Sequence, residues 1–136
     1  MHIHVACGII ERDGLVLAAR RSASKSLPFK WEFPGGKIDP GESAETCIKR
    51  ELLEEMGVFI DIKAVLPPST HNYSDFSVTL YPLICTITSG ELSLHEHTAV
   101  RWLLPEDLPG LDWAEADFAV IDCYLARLRG THHETH

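Results

Sequence analysis

One segment of the chain, residues 31–58 (WEFPGGKIDPGESAETCIKRELLEEMGV), restricts the possible folds more than any other. A glycine pair is followed by a run in which apolar residues recur at helical spacing. Ser43 is a suitable N-cap for that helix, and Gly57 is a suitable stop. The segment therefore predicts a glycine-rich loop and then one amphipathic helix, whose inward positions are Cys47, Ile48, Leu52 and Met56.

The same helix carries three glutamates on one side, Glu51, Glu54 and Glu55. Like charges at this spacing destabilise an isolated helix by about 0.2–0.5 kcal/mol per pair. A solvated face is the commoner explanation of a charge run, but the compensating bases here are confined to Lys49 and Arg50. The upstream glycines also let a ligand approach the backbone closely. Clustered carboxylates suit Mg²⁺, whose coordination a phosphate chain can complete, and they predict a metal site here.

Strands are predicted on both sides of this helix. Residues 4–21 (HVACGIIERDGLVLAARR) predict two strands joined at Asp13-Gly14, a strong hairpin signal. Further strands are predicted in VFIDIKAVLP, FSVTLYPLICTIT and TAVRWLL, with a turn at Ser89-Gly90. Residues 113–130 predict a closing amphipathic helix with Phe118, Ile121 and Leu125 among its apolar positions. This order of elements indicates an α/β fold with a mixed sheet flanked by helices.

Length and charge narrow the class of protein. The 136 residues predict one domain over residues 1–130 and a disordered tail over 131–136. Twelve basic against twenty acidic residues argue against a partner that is a nucleic-acid polymer. No apolar run is long enough to span a membrane, the first residues do not form a signal peptide, and the four dispersed cysteines suit a reducing compartment. We expect a cytoplasmic protein with a small-molecule partner and no membrane association, and its oligomeric state is left open.

The defined positions of the segment coincide with those of the Nudix box: Gly36, Glu42, Arg50-Glu51-Leu52, Glu54-Glu55 and Gly57-Val58. The chain therefore resembles the Nudix hydrolases of the MutT kind. The resemblance implies the Nudix fold, an α/β/α sandwich with a central mixed sheet. It also implies metal-dependent hydrolysis of a nucleoside triphosphate to a monophosphate and pyrophosphate.

The resemblance further implies roles for single residues. The metal ligands, for Mg²⁺ or for Mn²⁺ in its place, would be the carbonyl of Gly35 and the carboxylates of Glu51, Glu54, Glu55 and Glu96. Arg50 would orient the glutamates, with Glu42 completing its network beneath the loop. Lys37 is placed to touch phosphate, or else is a plain exposed lysine. Glu51 and Glu96 are both candidates for the general base, and the number of metal ions is left open. His95 and His97 do not form a zinc motif and are interpreted as loop or supporting residues.

The base of the nucleotide is the least constrained part of the prediction. In the MutT branch, residues that match Arg21, Phe33 and Asp117 read the base, but this chain has Asp117 where that branch has Asn. An Asn amide both donates and accepts, whereas an ionised Asp only accepts. The segments LHEHTAVRW and AEAD resemble the CTP pyrophosphohydrolase branch as well. We expect an 8-oxo-dGTP diphosphatase of the nucleotide pool, with CTP, dCTP or 5-methyl-dCTP as the alternative substrates.

Other classes of protein stay open at this point. A non-catalytic Nudix nucleotide-binding module is one, although such modules typically lack glutamates of the box that are present here. Hydrolases of ADP-ribose or of dinucleoside polyphosphates are others. Trp31, Phe33 and Trp113 could stack on a base or could belong to the core.

Overall fold

The computed structural model describes residues 1–134. In this part of the chain, eight strands, two α-helices and one 3₁₀ helix follow one another. The strands are β1 (His2–Arg12), β2 (Leu15–Arg21), β3 (Trp31–Glu32), β4 (Gly35–Lys37), β5 (Phe59–Val65), β6 (Ser69–Asn72), β7 (Ser77–Ser89) and β8 (His97–Leu103). The helices are α1 (Ala44–Met56), the 3₁₀ helix (Pro105–Gly110) and α2 (Glu115–Glu134). None of the helices in residues 1–134 combines the length and the apolar character that crossing a membrane requires.

Strand β1 is the centre of the sheet. It runs parallel to β7 from His2 opposite Ser77 to Ile10 opposite Cys85, and it pairs antiparallel with β2 and β4. The main path is β3-β2-β1-β7-β5, with β6 added to β7 and β8 added to β2. One parallel pairing among antiparallel ones makes the sheet mixed, which confirms the predicted sheet type.

The two α-helices cover opposite faces of the sheet. Along β1, Ala6 and Ile10 pack in the cluster around α1, whereas Cys7 and Ile9 pack in the cluster that contains residues of α2. A strand that is buried on both faces needs apolar residues at consecutive positions, which explains the uninterrupted run in β1. The predicted α/β/α sandwich of the Nudix fold is confirmed.

Helix α1 has the bounds and the inward face that its sequence predicts. The Oγ of Ser43 accepts a hydrogen bond from the amide N–H of Thr46 at 3.1 Å, so the N-cap is satisfied. Gly57 ends the helix in the left-handed region at φ 71°. Its buried residues are Cys47, Ile48, Leu52 and Met56. These caps fix where the glutamates of the helix lie relative to the glycine loop.

The final helix differs from its prediction at both ends and on its face. Phe118 is 38% exposed, and the fully buried side chains of this stretch are Val120, Ile121 and Tyr124. The buried face of the helix begins with Ala116 and Asp117, so Phe118 lies outside it. The helix also continues to Glu134, whereas a disordered tail was expected over 131–136. Residues 135 and 136 lie outside the described part of the chain.

Strand β6 was missed by the sequence analysis. Its residues, Ser69 to Asn72, are polar and alternate between exposed and partly buried. The strand forms because it pairs antiparallel with β7, with Ser69 opposite Leu80 and Asn72 opposite Ser77. A polar edge strand of four residues has no apolar periodicity of its own to predict it. The hairpin that results carries Tyr73 and Phe76 toward the candidate site.

All four cysteines are free, as expected. Cys7, Cys47 and Cys85 are buried, and Cys123 is partly buried. They fill core positions as small apolar residues.

Candidate active site

A cavity of about 550 Å³ opens on the α2 side of the sheet. One end is lined by the glycine loop and by Glu51 and Glu55 of α1. The other end is lined by Phe33 and by Asp117 at the start of α2. The cavity therefore has an acidic end and an end with an aromatic ring and one buried carboxyl group. Asp117 lies 62 residues after Glu55 in the chain, so only the fold brings these two carboxyl groups into one cavity.

The glycine pair is required by close packing on both sides. A Cβ atom on Gly35 would overlap the carbonyl oxygen of Ala6 in the neighbouring strand β1. A Cβ atom on Gly36 would overlap the carboxyl group of Glu51. Because neither residue has a side chain, β4 can press between β1 and α1, which brings its backbone against the acidic end of the cavity.

Arg50 organises the acids of helix α1. Its Nε and Nη2 donate to the two carboxylate oxygens of Glu42, both at 2.9 Å, which is a bidentate pair. Its Nη1 donates to Oε1 of Glu51 at 2.8 Å and lies 3.5 Å from Oε2 of Glu54. The hydrogen bonds from Arg50 are the main reason that the pKa of Glu42 is lowered to about 2. The network that the sequence predicted around Arg50 and Glu42 is present.

Glu55 carries a buried oxygen that lacks a partner. Its Oε2 is inaccessible to solvent and accepts no hydrogen bond. Burial, and then the hydrogen bond and the charge of neighbouring Glu51, raise the pKa of Glu55 well above its usual range. A bound cation would satisfy the orphaned oxygen and remove the penalty for ionisation. The donor set at this end, carboxylates beside a backbone turn, fits a hard divalent ion.

The five predicted metal ligands are not all in one place. Gly35, Glu51, Glu55 and Glu96 line the cavity, whereas Glu54 does not line it and its side chain is 60% exposed beside Arg50. Glu96 is paired with Lys25 at 2.8 Å. Within residues 1–134, no three His, Cys, Asp or Glu side chains converge closely enough to hold an ion. Side-chain rotations of Glu54 and Glu96 are therefore needed to complete the predicted set.

Asp117 lies at the opposite end and is 5% exposed. Its Oδ2 accepts a hydrogen bond from the backbone N–H of Phe33 at 2.9 Å. Burial is the main cause that raises the pKa of Asp117 to about 8, and the charge of Glu32 adds to it. This shift favours the neutral carboxylic acid, which can both donate and accept, over the ionised form, which only accepts.

Arg21 lines the cavity, but its guanidinium is engaged elsewhere. Nη1 donates to Oε1 of Glu32 at 2.6 Å, and Nε donates to the carbonyl of Ser26 at 2.7 Å. The second oxygen of Glu32 is 2.8 Å from Nε2 of His97, whose Nδ1 is buried without a partner. Arg21 is thus a support for the wall of the cavity as well as a predicted base-reading residue. Lys37 lines the cavity and is exposed, which is compatible with both of its interpretations, a phosphate contact and a plain surface lysine.

Phe33 and the two tryptophans differ in their access to the cavity. Phe33 lines it and packs on Trp113 with ring centroids 4.8 Å apart. Trp113 is buried, and its Nε1 donates to the carbonyl of Leu108 at 2.6 Å. Neither Trp113 nor Trp31 lines the cavity: Trp113 belongs to the core, and Trp31 is partly buried and packs against it.

Sequence reasoning missed an aromatic pair in the wall, Tyr73 and Phe76. Their rings stack with centroids 4.9 Å apart, and the hydroxyl of Tyr73 accepts from the backbone N–H of Ala116. Two aromatic residues around the polar pair Ser74-Asp75 would have been the only signal. Glu32, His97 and Lys25 were also missed as lining residues.

Comparison with known proteins identifies the class. The profile of the NUDIX domain matches residues 1–122, and the chain belongs to the Nudix family. Among its relatives, the CTP pyrophosphohydrolase of Escherichia coli (strain K12) is 34% identical over 124 residues, covering 91% of this chain and 92% of that protein. The putative 8-oxo-dGTP diphosphatase 2 of Mycobacterium tuberculosis (strain ATCC 25618 / H37Rv) is 31% identical over 133 residues, covering 97% and 94%.

Solved structures agree with the family assignment. The solution structure of the E. coli ORF135 protein has a TM-score of 0.79 at 33% identity, covering 92% of this chain and 89% of that one. The crystal structure of the MutT protein from Methanosarcina mazei Go1 has a TM-score of 0.82 at 22% identity, covering 96% and 95%, and supports the fold. Nudix hydrolases generally use divalent metal ions, and carboxylates are the donor type that such ions prefer.

Proposed function

We propose that the protein is a Mg²⁺-dependent nucleoside triphosphate pyrophosphohydrolase, with Mn²⁺ able to substitute. It converts a (d)NTP and water to the (d)NMP and pyrophosphate, and 8-oxo-dGTP is its preferred substrate. The observation that carries the proposal is one cavity lined both by the carboxylates beside the glycine loop and by the buried Asp117. An enzyme of this kind would clear oxidised nucleotides in the cytoplasm before they enter DNA, in support of DNA repair.

The acidic end would act on the phosphate chain. Gly35, Glu51, Glu54, Glu55 and Glu96 would hold the divalent ion, which supplies positive charge and lowers the pKa of a water molecule. Arg50 keeps Glu51 oriented through a 2.8 Å hydrogen bond. A carboxylate oxygen of Glu51 or Glu96 takes the proton from the attacking water, and Lys37 contacts a phosphate oxygen.

The other end would read the base through Asp117. A carboxylic acid offers one donor and one acceptor side by side, so it pairs with an edge that carries one acceptor and one donor. The N7–H and O6 of 8-oxoguanine form such an edge, whereas N7 and O6 of unmodified guanine are both acceptors. Phe33, whose backbone N–H holds Asp117, supplies an aromatic surface beside the base, and Arg21 borders the same wall. Asp117 can therefore favour the oxidised base over its parent.

Cytosine triphosphates are the second candidate substrates. The ring N3 and the exocyclic amine of cytosine also place an acceptor beside a donor, which matches the same protonated carboxyl group. The similarity to the E. coli CTP pyrophosphohydrolase, which spans 91% of this chain, supports this alternative.

The test is a panel of 8-oxo-dGTP, dGTP, dCTP, CTP and 5-methyl-dCTP, assayed with Mg²⁺, with Mn²⁺ and with a chelator. We expect pyrophosphate as the product, the highest kcat/KM with 8-oxo-dGTP, and no turnover with the chelator. Asp117→Ala, which removes both the donor and the acceptor, should change the ranking of the bases more than it changes the chemical step, whereas Asp117→Asn, whose amide keeps one of each, should change the ranking less. Release of orthophosphate and a diphosphate alone would contradict the reaction. Nucleotide binding without hydrolysis would instead indicate a non-catalytic module.

A further inference from the structure

Lys25 occupies an unusual position for a lysine, because it faces a carboxylate of the acidic end. Its Nζ is 2.8 Å from Oε2 of Glu96, and both residues line the cavity. The lysine and arginine side chains that line the cavity, within the described residues, are Arg21, Lys25 and Lys37. The guanidinium of Arg21 is already shared between Glu32 and Ser26. Lys25 is thus one of the few cationic side chains in the cavity wall that can contact an anionic ligand.

The loop that carries Lys25, residues 22–30, is fastened at its base. Arg21 N–H donates to the carbonyl of Lys30, and Phe29 N–H donates to the carbonyl of Arg21, at 2.9 and 3.0 Å. The guanidinium of Arg21 holds the middle of the loop at Ser26. Leu27 and Phe29 both adopt positive φ, 52° and 63°, which side chains rarely do. The loop is therefore held in a defined shape over the cavity, and it delivers Lys25 to Glu96.

The ion pair itself is easily exchanged. The side chains of Lys25 and Glu96 are 48% and 44% exposed. Pairs with such exposure are weak, because water screens the charges and both side chains retain alternative rotamers. A phosphate chain, which carries several negative charges, competes well for a flexible ammonium group at this position.

We propose that Lys25 is a mobile counter-ion of the acidic end: it neutralises Glu96 in the substrate-free protein and transfers to the phosphate chain when the nucleotide binds. Transfer releases the carboxylate of Glu96 at the moment when it is needed as a ligand or as a base. In the free protein, Lys25 competes with divalent ions for Glu96. In the complex, it contributes to substrate binding. The transfer of Lys25 to the phosphate chain rests on the proposed function, whereas its pairing with Glu96 concerns the free protein alone.

The experiment compares Lys25→Met and Lys25→Arg with the matched control Lys30→Met. Lys30 lies on the same loop and makes a similar ion pair, 2.7 Å from Oδ1 of Asp112, but it does not line the cavity. Binding of Mn²⁺ alone to the nucleotide-free protein is measured by calorimetry, and KM and kcat are measured with the best triphosphate of the panel.

Lys25→Met should bind Mn²⁺ several-fold more tightly than the parent protein, because Glu96 loses its competing ammonium group. Its KM should rise roughly tenfold, the loss expected for one hydrogen bond to a charged group, while kcat changes less. Lys25→Arg and Lys30→Met should resemble the parent protein in both measurements. Unchanged Mn²⁺ affinity in Lys25→Met would overturn the counter-ion role, and unchanged KM would overturn the transfer. If no triphosphate is hydrolysed at all, the proposed function fails, and the Mn²⁺ titration still decides the counter-ion role.

Discussion

At the scale of single residues, Glu54 and Glu51 both contact Arg50 but differ in burial. Glu51 is mostly buried against the glycine loop, whereas the side chain of Glu54 is 60% exposed. A charge at an exposed site contributes little to folding. Substitutions can therefore distinguish these two glutamates: Glu51 is part of the packing, whereas Glu54 is free to contact a ligand.

Glu54→Gln should lower kcat roughly hundredfold if the proposed assignment is right, because the proposed metal site then loses a carboxylate. Removal of groups that tune a metal has effects on this scale. The free energy of unfolding should change by less than about 0.5 kcal/mol, since the side chain is exposed. Steady-state kinetics over a range of Mg²⁺ concentrations and urea unfolding measure the two effects.

Glu45→Gln is the control for that substitution, since Glu45 is an exposed acid in the first turn of the same helix. Its activity should equal that of the parent protein. Near-normal turnover of Glu54→Gln at low Mg²⁺ would show that Glu54 is not a ligand.

Sequence reasoning found these box residues but not their partners across the sheet. Glu32 and His97 are 65 residues apart and lie on β3 and β8, which both pair with β2. Lys25 and Glu96 meet because the loop after β2 and the loop before β8 end at the same edge. Such contacts depend on the register between strands. Register is set by pairing between distant segments, which a local sequence pattern does not show.

At the scale of elements, strand β4 packs closely against helix α1 and strand β1 because Gly35 and Gly36 lack side chains. β4 is only three residues long, yet it pairs with β1 and presses against α1. The sequence predicted the helix because caps and periodicity are local signals. It predicted only a loose segment where β3 and β4 form, because strands of two and three residues leave no periodicity.

Gly35→Ala should destabilise the protein by about 3 kcal/mol or more, because the new Cβ meets backbone that cannot move aside without breaking the β1–β4 pairing. Gly110→Ala is the matched control, since a Cβ there meets no heavy atom within 4 Å. Its free energy of unfolding should change by less than about 0.5 kcal/mol. Urea unfolding measures both variants, and equal stabilities would contradict the packing argument.

At the scale of the whole molecule, the sandwich buries an acid that would be ionised in the unfolded chain. The pKa of Asp117 is raised to about 8, mainly by burial, whereas an unfolded Asp titrates near 4. Between these two values the folded state keeps a proton that the unfolded state releases. The contribution of Asp117 to the free energy of unfolding therefore falls as the pH rises from about 4 to about 8, by at most about 1.4 kcal/mol per pH unit.

Asp117→Asn should remove that dependence, so its stability relative to the parent protein should increase with pH across this window. Urea unfolding at pH 5, 6, 7 and 8 measures the difference. Asp112→Asn serves as the control, because the side chain of Asp112 is 74% exposed, and its difference from the parent protein should stay constant. A difference for Asp117→Asn that is equally constant would mean that Asp117 is ionised in the folded state.

The parallel pairing of β1 with β7 also sets an order of events in folding. The first strand of the chain finds its central partner only after 75 further residues, from His2 to Ser77, have been made. At ordinary rates of translation that interval lasts roughly 4–15 s. During this time β1 can pair only with β2 and β4, so the hairpin and the glycine loop with its helix assemble first. The glycine loop and the glutamates of α1 are thus made before β7, whereas Glu96 and Asp117, which complete the two ends of the cavity, are made after it.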